Sequence, residues 1–292
     1  MDVKNEYGIR DIQEKLIGIL MYFKDFCQEH DLKFVLAGGT LLGAVRHQGM
    51  IPWDDDVDVF MLREDYEKLE SLWEQFADKE RFSCVRSNDK MNIHHAVIEI
   101  KDNNTTFINY HNENNDIHQG IMIDVIPLDD VAANPVKRFL QIPYAMMFAC
   151  FNFQRLPAHK SRLMYYLTKI ALSTVKSFKA RYRIWKKCEK RMLALGKHSN
   201  GQVASFVEGL TIIRQRFPKE WFEHPESLLF EGVPMPVPKN YDQWLTVSYG
   251  DYKTPPKEED RILRHHIKFY DMKHSYKMYK GVQYCVPKEE VK

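Results

Sequence analysis

The sequence has little of what marks a disulfide-framed, secreted or membrane-spanning protein. Its five cysteines, Cys27, Cys84, Cys150, Cys188 and Cys285, lie far apart with no C-x-x-C pair in 292 residues. That argues against a zinc site and a disulfide framework, and for a reducing compartment. The opening stretch MDVKNEYGIRDIQEKL is charged and lacks the apolar segment of a secretory signal, so the expectation is a cytoplasmic protein. No apolar run reaches the roughly 20 residues of a membrane span. The longest, FLQIPYAMMFACFNF at 139–153 and LMYYLTKIALSTV at 163–175, read as buried helices. Internal repeats, low-complexity segments and recognised nucleic-acid-binding modules are also missing. A nucleic-acid partner is not expected.

Acid is scarce in one region. From Arg155 to His198 there are thirteen lysines or arginines against Glu189 alone, a balance of +12 in a chain whose net charge is +2. The remainder therefore carries ten net negative charges. A basic helical stretch of this kind is either a solvated face or a surface for peripheral contact with an anionic membrane or a polyanionic substrate. With 44% hydrophobic and 28% charged residues the chain has material for one large domain or two small ones.

Residues 9–28 place Ile9, Ile12, Leu16, Ile19, Leu20, Phe23 and Cys27 at three- and four-residue steps, which predicts an amphipathic helix. KFVLAGGTLLGAVRHQG then reads as a short strand, a turn at Gly38 and Gly39, a helix opened by Thr40, and a stop at Gly49. A strand feeding a helix through glycines exposes backbone N–H groups suited to phosphate. DVDVFM resumes as a strand, and REDYEKLESLWEQF is a helix. Further strands are expected at 82–85, 95–101, 105–110 and 121–126, a mainly helical stretch at 135–210, and a proline- and aromatic-rich segment at 217–257.

GMIPWDDDVDVF, residues 49–60, sets Asp54, Asp55, Asp56 and Asp58 within five positions. Two carboxylates about 4 Å apart repel by roughly 4 kcal/mol at an effective dielectric constant of 20, so converging acids need a cation or a proton between them. Side chains alternate along a strand, which puts Asp56 and Asp58 on one face with Val57 and Val59 turned to the core. Such a pair can share Mg2+, with Mn2+ as the substitute, beside substrate phosphate. GIMIDVIPLDD adds Asp124, a lone acid between Ile123 and Val125 in an otherwise buried strand. Asp54 is expected to support the metal from behind, and Asp55 to face the other way and accept N–H groups in the turn.

Gly38-Gly39-Thr40, then Asp56-Val57-Asp58, then Ile123-Asp124-Val125 resembles the nucleotidyltransferase superfamily of the DNA polymerase β type. GGTLLGAVRHQGMIPWDDDVDVFMLREDYEKL resembles more specifically the LicD family of phosphocholine transferases, related to fukutin. The match extends to EIKDNNTTF, GIMIDVIPLDD and VPKNYDQWLTVSYGDYKTPP, with small departures at Thr106 and Met50. The resemblance implies an α/β (α+β) fold: a polymerase β-like core with a mixed sheet, plus a helical portion. The core is expected at residues 1–130, a basic helical region at 131–215, and a segment returning toward the active site at 216–292.

The implied activity moves phosphocholine from CDP-choline, or another phospho-alcohol from its CDP carrier, to a hydroxyl of a cell-surface glycan or its lipid-linked precursor, and releases CMP. Lipopolysaccharide, teichoic acid and capsule are the implied destinations. Asp56, Asp58 and Asp124 would hold metal, with Asp124 alternatively taking the acceptor proton. Gly38, Gly39 and Thr40 would cradle phosphate. Arg46 and Lys101 are further phosphate contacts, each with an ordinary structural alternative; Trp53 and Tyr249 could face a quaternary ammonium group. His265 and His266 are weak additions. Competing readings are a nucleotide-adding enzyme of the same fold, a user of CDP-ribitol, CDP-glycerol or CDP-ethanolamine, and a glycan-binding protein on an inactive transferase fold. Glycosyltransferases and haloacid-dehalogenase-like phosphatases place their acids after an apolar strand, whereas here the strand follows the acids.

Overall fold

A computed structural model describes residues 7–156, 162–207, 210–263 and 266–287. In chain order the elements are α1 (Arg10–Glu29), β1 (Phe34–Leu36), α2 (Gly38–His47), β2 (Asp58–Leu62), α3 (Arg63–Phe76), β3 (Phe82–Val85), β4 (Ile98–Asp102), β5 (Thr106–Asn109) and β6 (Met122–Ala132). There follow α4 (Pro135–Phe153), α5 (Arg162–Thr174), α6 (Phe178–Gly196), β7 (Ser199–Ala204), α7 (Leu210–Ile213), β8 (Phe217–Pro218) and α8 (Glu220–Glu223). The last are β9 (Glu226–Phe230), β10 (Val233–Val237), α9 (Tyr241–Tyr249) and β11 (Ile267–Asp271). This is an α+β fold. The chain forms two compact units, one of Met1–Val85, Glu99–Val125 and Pro225–Lys292, the other of Arg86–Ile98 and Ile126–His224.

The first unit is built on a sheet of order β1-β2-β6-β4-β3. α1 forms because its apolar residues recur on one face; Ile12, Leu16, Ile19, Leu20, Phe23 and Cys27 are all buried. One polar residue shares that face, Gln13. α3 opens with Glu64 and Asp65, acids that suit the positive end of a helix, and buries Tyr66, Leu69 and Trp73. Val57, Val59, Ile121, Ile123 and Val125 are core residues, in keeping with strand alternation. β9 and β10 form a hairpin, and β11 pairs antiparallel with β5.

In the second unit β6 continues through Asp129 and Asp130, pairs with β7, and β7 pairs with β8. A strand at Ser199–Ala204 thus interrupts the region expected to be helical. α4 begins at Asn134, whose side-chain oxygen accepts from the N–H groups of Val136 and Lys137 at 2.9 and 3.1 Å, with Pro135 in the first turn. Val131, Ala145, Met192, Ala204, Phe206 and Ile213 form its core. Buried Gln141 joins three elements: it accepts from Ala132 N–H and donates to the carbonyls of Asp130 and Met192.

The two apolar stretches expected to be buried helices need correction. α4 buries Ala145, Phe148 and Phe151 but leaves Phe139 72% exposed. α5 buries Thr168 alone, and Leu163, Tyr166 and Ile170 are 65%, 58% and 61% exposed. Helical spacing fixes that a helix has an apolar face, not that something packs on it; in this unit α4 and α6 cover one another, and the α5 stripe points outward.

Candidate active site

The site is assembled where β1 hands over to α2. Leu36 pairs with Val59, and Ala37 N–H extends the ladder to the carbonyl of Asp58 at 3.0 Å. The chain then turns at Gly38, with φ of +51°, straight into the helix. A Cβ on Gly38 would stand 2.9 Å from Asp58 Oδ2, and one on Gly39 2.5 Å from Asp54 Oδ2. Glycine is required at both places because carboxylates lie against the backbone at the positive end of α2. Thr40, buried, uses its hydroxyl to accept from Asp58 N–H at 2.9 Å. The glycine turn therefore faces acids directly, and Thr40 positions Asp58.

β2 begins at Asp58, so Asp54 to Val57 are not yet strand. The alternation still holds from Asp55 to Val59: Asp55, Val57 and Val59 are buried, while Asp56 and Asp58 are half-exposed, as Asp54 is before them. What the irregular backbone adds is convergence. Asp54, Asp55 and Asp56 each bring a carboxylate oxygen to within 4.8 Å of the others, which strand geometry alone would not allow for adjacent residues. Asp124 N–H donates to the Val57 carbonyl at 2.9 Å, and Asp55, Asp56, Val57, Phe107, Ile121, Met122 and Asp124 line one cleft. The donors are all carboxylate oxygens, the hard ligands that suit Mg2+ or Mn2+ and not a thiophilic metal. The residues present fit such an ion.

Two side chains that hold this loop escaped the sequence reading. Gln13 Nε2 donates to the carbonyls of Ile51 and Asp54 at 3.0 and 2.9 Å. Its signal was a polar residue amid the apolar face of α1. Glu231 accepts from Met50 N–H at 3.1 Å and pairs with Arg10 at 3.3 Å, in a turn with no distinguishing pattern. Asp55, expected to face away from the other acids, belongs to the converging group.

The remaining candidates surround the acids unequally. Arg46 Nη1 donates to the Tyr252 carbonyl at 3.3 Å; burial and then Arg261 lower its pKa, against the pull of Asp54 and Tyr249. His47 is lowered by burial and by the charges of Arg46 and Arg261, which favours the neutral ring. Trp53 carries the Arg261 guanidinium 5.0 Å from its ring centroid, with His47 and Tyr7 edge-on. The ring thus faces a cation from its own chain. Tyr249 is exposed beside buried Trp244. Lys101 is buried in a 3.0 Å ion pair with Glu99. His266 lies 6.1 Å from His111, and His265 falls outside the described residues.

Residues 31–140 match the family model LicD/FKTN/FKRP, nucleotidyltransferase domain. The part of the chain from residue 31 to residue 140 thus resembles the nucleotidyltransferase domain of that family. Across 270 residues it is 29% identical to the lipopolysaccharide cholinephosphotransferase LicD of Haemophilus influenzae, covering 89% of this chain and 96% of that protein. A shorter likeness, 35% over 65 residues, links 22% of the chain to 12% of the human ribitol 5-phosphate transferase FKRP. The LicD match spans α2, the acidic loop, β2 and Asp124. The family expected from the motifs is the family found.

Proposed function

We propose that this chain is a phosphotransferase that moves phosphocholine from CDP-choline to a hydroxyl of a cell-surface glycan or its lipid-linked precursor, releasing CMP. The observation that carries the reading is the convergence of Asp54, Asp55 and Asp56 beside the Gly38-Gly39 turn, with Asp124 on the same cleft. Asp56, Asp58 and Asp124 are assigned to hold Mg2+ or Mn2+, with Asp54 and Asp55 completing the negative pocket. When bound, the ion neutralises charge on the diphosphate and its leaving oxygen. The acceptor oxygen forms a bond to the phosphorus carrying choline, the P–O bond to CMP breaks, and the acceptor proton passes to a carboxylate, for which Asp124 is assigned.

Gly38 and Gly39 keep the helix end free of side chains, so that a phosphate could approach its backbone N–H groups beside the acids. Arg46 is assigned to the donor phosphates through its fork of donors. The catalytic work is assigned to residues 1–130 together with 216–292, and the basic surface to 131–215. The chain works in the cytoplasm at the inner face of the membrane.

The test incubates purified protein and a cell-surface glycan extract as acceptor with CDP-choline, CDP-ribitol, CDP-glycerol or CDP-ethanolamine, with and without Mg2+, and follows CMP by chromatography. Metal-dependent CMP release with CDP-choline is expected, falling roughly 100- to 1000-fold in Asp56→Asn and Asp58→Asn. CMP from CDP-ribitol alone would reassign the donor. Diphosphate released from a nucleoside triphosphate would make it a nucleotide-adding enzyme, and wild-type rates in both variants would sink the metal mechanism.

A further inference from the structure

We propose that the outward apolar face of α5, extended by that of α4, docks this chain in the plane of an anionic bilayer. In α5, Leu163, Tyr166, Leu167 and Ile170 recur at three- and four-residue steps and all are exposed. Only the face carrying Thr168 turns inward. In α4, Val136, Phe139, Leu140 and Met147 form a second exposed row. Exposed apolar rows of this kind mark a docking surface. Among the described residues no helix is long and apolar enough to cross a membrane; an amphipathic helix with a cationic border is suited to lie in the interface plane.

The charges select the occupant. Arg162 and Lys169, both exposed, border the α5 stripe, placed to run their alkyl stems along it and their charges toward headgroups. Lys176 and Lys179 follow at once, and α6 continues with Arg183, Lys187, Lys190 and Arg191, all exposed. The last four line one shallow surface, while the region's single acid, Glu189, is buried against Arg86 and Lys186. A second copy of the chain would bring an equally basic face against this one and be repelled. A lipid surface carrying phosphate headgroups and acyl chains matches both the cations and the apolar stripe.

The experiment is co-sedimentation with vesicles of equal parts phosphatidylglycerol and phosphatidylcholine, against phosphatidylcholine alone. Wild type is expected to bind the mixed vesicles, and Leu163→Asp with Ile170→Asp to weaken binding roughly tenfold or more, with circular dichroism and melting temperature unchanged because both side chains are exposed. Ile170→Trp should show blue-shifted emission on those vesicles and quenching by brominated acyl chains. The charge arm is Arg183→Glu with Lys187→Glu, which should lower binding and flatten its salt dependence. Binding unaffected by the aspartates, or a tryptophan that stays in water, would overturn insertion. So would a wild-type dimer in light scattering that the aspartates split, with no vesicle binding. None of these readouts depends on CMP release, so the docking and the transfer chemistry stand or fall separately.

Discussion

In the first unit the abundant charge is drawn inward, with Asp54, Asp55 and Asp56 converging beside a helix N-terminus. In the second it is spread outward, with Lys179, Arg183, Lys187 and Lys190 along the exposed face of α6. Converging like charges demand a counter-ion or a proton; diverging ones are stabilised by water and remain available to a surface. The scarcer charge in each setting is buried with a partner. Lys101 pairs with Glu99 at 3.0 Å, and Glu189 with Arg86 at 2.9 Å and Lys186 at 2.6 Å. Convergence therefore distinguishes the proposed catalytic surface from the proposed docking surface better than the count of charges does.

The contrast is broken most severely by removing the buried acid of the basic unit. Glu189→Gln leaves the largely buried Arg86 guanidinium beside a neutral amide, and breaking one side of a buried pair costs about 3 kcal/mol or more. Lys187→Gln, on the exposed face of the same helix, should change stability by no more than about 0.5 kcal/mol. Urea unfolding of the two variants measures the difference. Equal effects would mean that α6 does not sort its charges by burial.

A smaller effect separates the two units through their glycines. Gly38 has φ of +51° and the Asp58 carboxylate where a side chain would begin, whereas Gly201 in the second unit has φ of +79° and nothing within 4 Å. Gly201→Ala pays only for the left-handed backbone, about 1 kcal/mol. Gly38→Ala should lose about 2 kcal/mol, because the carboxylate must move as well. Thermal melts compare the stabilities, and titration calorimetry should show weaker Mg2+ binding in Gly38→Ala alone. Identical losses would remove the argument that the turn is shaped around the acids.

Much of the first unit was legible because local signals and tertiary packing agree there. The α1 stripe, the Gly38-Gly39 turn and the Asp55 to Val59 alternation each follow from spacing, and the LicD resemblance rests on the same residues. The closeness of Asp55 to Asp54 and Asp56 was not legible, since it depends on an irregular stretch pinned by Gln13 and Glu231 from distant segments. In the second unit the periodicity of α5 was readable but its outward direction was not. Burial depends on a partner element, and no residue within 163–175 encodes whether one arrives. Lys101 is a similar case: its place after an apolar run was plain, its pairing with Glu99 two positions earlier along β4 was visible only in three dimensions.

The gentlest perturbation is pH, and it again separates the units. His118 Nδ1 accepts from Gly120 N–H at 3.0 Å while Nε2–H donates to Asn103 Oδ1 at 2.8 Å, an arrangement that fits only the neutral ring. Burial first, then the charge of Lys101, push its pKa down from 6.5 to about 3. The unfolded chain therefore binds this proton across that window and the folded one does not, so stability is full above the ordinary value and falls as pH drops through it. The slope approaches ~1.4 kcal/mol per pH unit. His94 in the second unit is also lowered by burial, but the Phe153 carbonyl to which its ring bonds acts in the opposite direction. Urea unfolding at pH 7 and pH 5 should then show wild type losing up to about 2 kcal/mol relative to His118→Gln, and less relative to His94→Gln. Parallel losses in wild type and His118→Gln would show that the first unit does not depend on a neutral His118, and the two buried imidazoles would cease to distinguish the units.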